Sequence, residues 1–151
     1  MTASGRPTGE DPSVEVKIVT SWDVQEIHHL YVAGGWWKEE WQVSRLNELI
    51  RATYAFAVAY HRGTRKTIGM VRAISDGIAD AYVQDLVVLP EFRGHGVGGR
   101  LVKVLVAHCL ANGIQWIALV AEPGTEGFYA PLGFTPMKNC IPMRYDGVEK
   151  R

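Results

Sequence analysis

A glycine-rich loop between a strand pattern and a long helix pattern constrains the fold of this chain more than any other feature. The strand is predicted over residues 81–88, and the loop runs from Arg93 to Arg100 with four glycines. From Gly98 onward the apolar residues recur on one face of a helix, at Leu101, Val102, Leu105, Val106 and Cys109. The apolar run 114–121 that follows is typical of a strand buried on both faces. Strand, helix and strand in this order predict a crossover.

Three further strand patterns precede this crossover. They cover residues 14–19, 54–60 and 67–74, and short turns join the later ones to the strand over 81–88. Strands so close in sequence predict an antiparallel meander. A last strand is predicted over 141–145. Together the meander and the crossover predict an α/β fold, a mixed sheet with helices on both of its faces.

Helical patterns lie on either side of the meander. Thr20 or Ser21 is expected to cap a first helix that runs through Leu30 and ends at Gly34-Gly35. Two further helices are predicted, one through Leu46, Leu49 and Ile50 and a short one through Phe128 and Tyr129.

Length and composition restrict the classes of function. The chain has 151 residues, 47% of them apolar, which predicts one domain over 13–151 after a disordered lead-in over 1–12. The formal net charge is zero, which argues against a nucleic-acid partner because polyanion binders carry a basic excess. Cys109 and Cys140 lack CxxC spacing, so we expect free thiols and no metal site. A helix that crosses a bilayer needs about 20 consecutive apolar residues, and no run in this sequence is that long. We therefore predict a cytoplasmic protein without a membrane partner.

The glycine loop has the chemistry of an anion site. Amides at the start of a helix point outward, the helix dipole favours negative charge, and glycines remove side chains that would block an approaching ligand. Arg93, His95, Arg100 and Lys103 add a local basic cluster. We therefore predict a phosphorylated ligand, the alternative being a plain connecting loop.

Two nucleotide-binding motifs match this loop incompletely. Gly94, Gly96 and Gly99 spell GxGxxG, and Glu122 lies near the position of an acidic ribose ligand. A dinucleotide site, however, needs its glycines directly after the strand and more chain beyond them. A P-loop would need lysine where Arg100 stands. A dinucleotide-dependent oxidoreductase stays as a rival function.

A longer string, from Gln84 to Gly98, places six residues at fixed spacings: Leu86, Val88, Pro90, Arg93, Gly96 and Gly98. This pattern resembles the core motif of the GNAT acyltransferases, L-x-V-x-P-x-x-R/Q-x-x-G-x-G/A. A second segment, Phe128-Tyr-Ala-Pro-Leu-Gly-Phe134, resembles the late F-Y-x-x-L-G-F motif of that family. The order of elements agrees too, so the resemblance covers nearly all of residues 14–146.

The resemblance implies an N-acetyltransferase that binds acetyl-CoA between two splayed strands, those ending at Val88 and near Ala121. It implies that the pyrophosphate accepts hydrogen bonds from the backbone of Gly94, His95, Gly96, Val97, Gly98 and Gly99. It also implies that the backbone of Leu86, Val87 and Val88 lies along the pantetheine arm, and that Arg93 belongs to the same coenzyme site.

Two catalytic roles follow from the resemblance. The amine would attack the thioester directly through a tetrahedral intermediate, and the backbone amide of Leu86 would stabilise the oxyanion. Tyr129, a phenol that is protonated at neutral pH, would donate its proton to the departing sulfur. The alternative for Tyr129 is packing beside Phe128.

A general base is not evident. Strand alternation places Tyr82, Gln84, Leu86 and Val88 on one face and turns Asp85 to the other. The positions that hold a base in some relatives carry Tyr82 and Gln84 here, and neither residue accepts a proton readily at neutral pH. Glu122 and Glu126 remain as candidates, and a water relay without a dedicated residue is the favoured alternative.

The acceptor site is predicted around a tryptophan-rich segment. Trp36, Trp37 and Trp41, with Glu39 and Glu40, lie where the family forms its acceptor pocket. Aromatic faces and carboxylates suit a cationic amine, so we predict a small amine substrate, aromatic or polyamine-like. Gln84 and Glu122 are further candidate substrate contacts. Alternatively, the tryptophans are core residues and the glutamates a solvated helix face.

Two other functions stay open within the same family resemblance. One is a binding module that holds acyl-CoA without catalysis, and the other is an N-acetyltransferase that modifies proteins. Because relatives in this family often dimerise, the resemblance also points to a homodimer.

Overall fold

The computed structural model describes residues 10–147, so most of the predicted lead-in over 1–12 lies outside the described residues. The chain divides into two compact units, one ending at Leu119 and the other beginning at Val120. The single domain predicted over 13–151 stays a prediction. The first unit contains β1 (Val14–Val19), α1 (Val24–Ala33), α2 (Leu46–Ala52), β2 (Ala55–His61), β3 (Lys66–Ser75), β4 (Asp80–Val88), α3 (Val97–Ala111) and β5 (Trp116–Ala118), and the second contains α4 (Glu126–Tyr129).

The sheet of the first unit has the strand order β1-β2-β3-β4-β5. The first four strands pair antiparallel, and β5 pairs parallel with β4 after the crossover through α3. The predicted meander, crossover and mixed α/β sheet are therefore confirmed. The reason is local: tight turns connect neighbouring antiparallel strands, whereas a parallel partner requires the long helical connection.

Small and large residues alternate along β2, so the small residues lie on one face of the sheet and the large ones on the other. Ala59 pairs with Gly69, and a Cβ at Gly69 would lie only 2.9 Å from the Leu101 Cδ1 of α3. Small residues on this face thus let α3 approach closely. Phe56 pairs with Arg72 on the opposite face, the one that α1 covers.

Three sequence predictions of local structure are wrong. Asp23, and neither Thr20 nor Ser21, caps α1, because its carboxylate accepts hydrogen bonds from the second and third amides of the helix. The buried strand predicted over 114–121 is reduced to Trp116–Ala118, with Trp116 exposed. No strand forms within 141–145, where the large apolar side chains are exposed; in both segments apolar character alone does not provide a pairing partner.

A bulge in β4 overturns the predicted alternation of its side chains. Gln84 pairs with Arg72 but Val87 pairs with Met70, so one residue of β3 lies opposite two of β4. Asp85 sits in this bulge with a φ of 58°. The alternation inverts there: the Asp85 side chain lies on the face of Gln84 and Arg72, not on the opposite face as predicted.

A buried hydrogen-bond network ties α1 to β3. Thr67 is 3% exposed, and its hydroxyl accepts from Trp22 Nε1 at 2.7 Å and donates to the carboxylate of Glu26. The Thr67 amide donates to the other Glu26 oxygen at 3.2 Å. Thr67 of β3 is therefore bonded to Glu26 of α1 through both its hydroxyl and its amide.

Replacing Thr67 with valine should lower the free energy of unfolding by about 1–3 kcal/mol, because the indole and the carboxylate each lose a partner in a part-buried site. Chemical denaturation with an unchanged m-value measures the effect. Thr20→Val is the matched control, since Thr20 is exposed and does not cap α1. Equal stability of the two variants would contradict this account of the network.

Candidate functional site

The predicted glycine loop connects β4 to α3 through a short 3-10 turn at Pro90–Phe92. Gly94 has φ 80° and Gly96 has φ 79°, conformations that favour glycine. Gly96 is also the N-cap of α3, and no side chain caps the helix there. A Cβ at either glycine would meet no atom within 4 Å, so the loop faces open space.

The amides of this loop have no hydrogen-bond acceptor among the residues that the structure describes. Within residues 10–147, no backbone carbonyl or side chain accepts a hydrogen bond from the amides of residues 94–99; the first amide of α3 that is bonded is that of Arg100, to Gly96. Unsatisfied amides at a helix N-terminus, with the dipole behind them, suit a diphosphate. The backbone of Gly94, His95, Gly96, Val97, Gly98 and Gly99 therefore fits the coenzyme group that the resemblance implies.

The basic side chains predicted to surround the loop have different environments. Arg93 Nε donates to the Val88 carbonyl at 2.9 Å, which fixes the loop to the end of β4. His95 is exposed. Arg100 is engaged elsewhere, since its guanidinium donates to the carbonyls of Asp11 and Val14. Arg100 therefore ties α3 to the start of the described chain and does not contribute a free charge to the loop.

The edge of β4 next to the loop has a short strand partner. Register pairs with β5 extend only from Asp80 to Tyr82, whereas β4 continues to Val88. Pairing with β5 thus ends before the segment of β4 that contains Leu86. Leu86 and Val88 are half-buried and Val87 is 6% exposed, and Leu86 directly follows the bulged residue Asp85.

A polar network beneath the bulge was missed by the sequence reading. The Asp85 carboxylate accepts from Arg72 Nε at 2.5 Å and from the Tyr31 hydroxyl at 2.8 Å. Arg72 and Asp85 are each 19% exposed and Tyr31 is 2% exposed. Burial, and then the negative charge of Asp85, raises the pKa of Tyr31 well above its usual range. The only indication of this network in the sequence was one charged residue in each of two largely apolar segments, Arg72 and Asp85.

The tryptophan-rich segment forms an aromatic cluster against α1. Trp37 meets Trp41 edge-to-face at 5.7 Å between ring centroids, and Trp41 meets Tyr31 at 6.4 Å. A cavity of about 450 Å³ adjoins this cluster; its lining residues are Trp37, Glu40, Trp41, Gln42, Arg45, Leu46, Glu48, Leu49 and Ala52. Trp36, predicted beside Trp37, packs on Tyr31 and Gly34 and is not among the lining residues.

The second unit holds the other predicted site residues, Tyr129 and Glu122. Tyr129 is half-buried between Phe128 and Phe134, with ring centroids 4.9 and 5.8 Å away. Burial, and then the charge of Glu122, raises the pKa of the Tyr129 phenol. Glu122 and Glu126 are exposed, and Gln84 is exposed on β4 of the first unit.

The described part of the chain, residues 10–147, contains no helix long and apolar enough to cross a bilayer. In the same range no group of three or more His, Cys, Asp or Glu side chains is placed to hold a metal ion.

Comparison with known proteins connects this geometry to relatives. A relative from Arabidopsis thaliana, named GCN5-related N-acetyltransferase 1, chloroplastic, is 30% identical over 112 residues, which is 74% of this chain and 56% of that protein. A protein of Oryza sativa subsp. japonica, named serotonin N-acetyltransferase 2, chloroplastic, is 42% identical over 76 residues, 50% of this chain and 38% of that protein. The chain thus spans about half or less of these curated relatives. The cytoplasmic location stays a prediction, since both relatives are named chloroplastic.

The fold and a family model agree with these relatives. A solved GNAT-family acetyltransferase of Streptococcus pneumoniae superposes with a TM-score of 0.71 at 25% identity, covering 90% of this chain and 99% of that one. The model of the acetyltransferase (GNAT) domain matches residues 52–136, a stretch that includes β4, the glycine loop, α3 and Tyr129. Because this match covers more than half of the 151 residues, the chain belongs to the GNAT acetyltransferase family.

Proposed function

We propose that this chain transfers the acetyl group of acetyl-CoA to the primary amine of a small aromatic molecule. One observation carries the coenzyme part of the proposal: the amides of residues 94–99 have no partner within the described residues and open onto space at the N-terminus of α3. The diphosphate of acetyl-CoA would accept their hydrogen bonds. The β4 edge beyond Tyr82 would run along the pantetheine arm.

The chemical step needs a donor for the oxyanion and a proton for the leaving group. The amine nitrogen forms a bond to the thioester carbon, the carbonyl oxygen gains charge, and the carbon–sulfur bond then breaks. The backbone amide of Leu86 would stabilise that oxygen, and its place after the bulge supports this role because a bulge takes backbone groups out of the regular ladder. Tyr129 would give its proton to the thiolate that leaves. The nitrogen would lose its extra proton to water as the amide forms, and a proton from water would restore the phenol.

The amine must lose a proton to become a nucleophile. Gln84 is an amide and does not accept a proton at neutral pH, and the Asp85 carboxylate is engaged by Arg72 and Tyr31. We therefore propose that water carries this proton, with the exposed Glu122 as the alternative acceptor.

The acceptor would bind in the cavity beside the tryptophans. Trp37 and Trp41 supply aromatic faces, and Glu40 and Glu48 supply negative charge, a combination that suits an ammonium group on an aromatic body. Arg45 already pairs with Glu48 at 3.1 Å, which leaves Glu40 as the preferred partner of the ammonium. The name of the rice relative, serotonin N-acetyltransferase, supports an aromatic amine for this site.

The proposal is tested by adding acetyl-CoA to the purified chain and following free CoA thiol with four acceptor classes: aromatic amines, polyamines, aminoglycosides and lysine peptides. Turnover that is fastest with an aromatic amine supports it. Turnover with peptides alone would assign a protein substrate. Binding of acetyl-CoA without turnover on any acceptor would favour a binding module, and stabilisation by NADPH but not by acetyl-CoA would favour an oxidoreductase.

Replacing Trp37 with alanine should raise the KM for the aromatic amine about 5- to 30-fold with little change in kcat, because the loss of a ring contact of about 1–2 kcal/mol weakens binding equally in ground and transition states. Steady-state kinetics at saturating acetyl-CoA measures the effect. The matched control is Trp116→Ala on β5, outside the cavity. An unchanged KM in the Trp37 variant would place the acceptor elsewhere.

A further inference from the structure

We propose that Arg72 and Tyr31, acting through Asp85, are positioning residues that hold the β4 bulge and thereby aim the Leu86 amide at the thioester carbonyl. The inference rests on the proposed function, because it assigns a task to residues that support the oxyanion donor. None of the three residues belongs to the glycine loop or to the lining of the aromatic cavity.

The backbone at Asp85 needs support. Its φ of 58° lies in the left-handed region, which a residue with a side chain enters only at a cost in free energy. Aspartate tolerates this region better than most residues, but a conformation of this kind persists only where the surroundings hold it. The bulge also removes local ladder hydrogen bonds that would otherwise fix the strand.

Side chains supply that support from two neighbouring elements. Arg72 of β3 donates Nε to the Asp85 carboxylate and Nη1 to the Thr53 hydroxyl at 3.4 Å. Thr53 in turn donates to the Leu49 carbonyl at the end of α2. Tyr31 of α1 reaches the same carboxylate oxygen of Asp85 from the helix that covers this face. The carboxylate is thus fixed by a strand and a helix at once.

This arrangement determines where the next amide points. Asp85 and Leu86 share one peptide unit, so the dihedral angles of Asp85 set the direction of the Leu86 N–H. An oxyanion donor has its effect only when it is held at the right place before the reaction, and a displacement of about 1 Å lowers rates by about 10²-fold. By holding Asp85, Arg72 and Tyr31 therefore contribute to kcat although they do not contact the substrate.

The experiment uses graded variants of the full chain. Tyr31→Phe removes one hydrogen bond and keeps the packed ring, Arg72→Lys keeps the charge, and Arg72→Gln removes it. Arg62→Gln and Tyr60→Phe are the matched controls, since Arg62 is an exposed residue that pairs with Glu15 and Tyr60 packs on Trp22 away from this network. Each variant is assayed for kcat, for KM and for affinity toward acetyl-CoA.

A second readout reports on the amide directly. Infrared difference spectra with acetyl-CoA carrying a ¹³C-labelled carbonyl show whether the bound carbonyl accepts a hydrogen bond, since such a bond lowers its stretching frequency. In the wild-type chain the band should lie below that of free acetyl-CoA. In Arg72→Gln it should return toward the free value, although the affinity for acetyl-CoA stays within about twofold.

We expect kcat to fall about 10-fold in Tyr31→Phe and about 10²-fold in Arg72→Gln, with partial recovery in Arg72→Lys. If Arg72→Gln does not fold, Tyr31→Phe and Arg72→Lys carry the test. If kcat is unchanged in these variants, or if it falls while the carbonyl band does not move, this inference is overturned and the proposed function is not affected. Asp85→Asn is assayed in the same series. If it alone lost rate, Asp85 would be assigned to proton transfer and the inference would be overturned. A wild-type chain with neither turnover nor a bound carbonyl band overturns the proposed function as well.

Discussion

Replacing Tyr129 with phenylalanine should lower kcat about 10²- to 10⁴-fold, the range typical of a lost general acid, while the affinity for acetyl-CoA changes little. The phenol is the proposed proton donor to the thiolate, and phenylalanine keeps the ring that packs between Phe128 and Phe134. Stopped assays of CoA release at saturating substrates measure the effect. The matched control is Tyr145→Phe, because Tyr145 belongs to the same unit and is 80% exposed.

The pH dependence of the wild-type chain tests the same role. Burial and the charge of Glu122 raise the pKa of Tyr129 above its usual 10.0, so the protonated, donating form persists through neutral and moderately alkaline solution. Its contribution to kcat is therefore present below the raised pKa and is lost only above it. Because a group with a pKa above 10 stays more than about nine-tenths protonated up to pH about 9, we expect no fall in kcat between pH about 7 and about 9. A fall within that interval, or full activity of Tyr129→Phe, would exclude Tyr129 as the acid.

Replacing Gly96 with aspartate should weaken acetyl-CoA binding about 10²-fold or more. A carboxylate at the N-cap of α3 would lie beside the amides of residues 94–99 and repel the diphosphate that they are proposed to bind. Two charges about 4 Å apart near a protein surface interact by about 4 kcal/mol before screening by salt, which accounts for the size of the effect. Isothermal titration with acetyl-CoA measures it.

Gly96→Asn separates charge from backbone strain. Asparagine and aspartate have nearly the same shape, and both must adopt the positive φ of 79° that Gly96 has. The asparagine variant should lose only a few-fold in affinity, and the gap between the two variants should narrow as salt is raised. Equal affinities for acetyl-CoA in both variants would show that the diphosphate does not lie at this helix end.

The local elements of the chain were predictable because short-range periodicity fixes them. The apolar spacing after Gly98 predicted α3, and it forms from Val97 to Ala111. The glycine loop was equally predictable, since its backbone conformation and the exposure of its amides depend on residues that are neighbours in the sequence. The strand predicted over 141–145 was wrong for a related reason: a strand needs a partner, and alternation of apolar residues within one segment does not supply it.

The family, the order of the first five strands and the glycine loop before α3 were thus determined by the sequence itself, through motifs and spacings that lie close together in the chain. Tertiary structure decided what depends on distant residues. The register of β4 against β3 inverted its faces at Asp85, and Arg100 found carbonyl partners near the start of the described chain. It also decided that Trp37 and not Trp36 lines the cavity. Register and side-chain partners arise from contacts between segments far apart in sequence, and no local pattern encodes them.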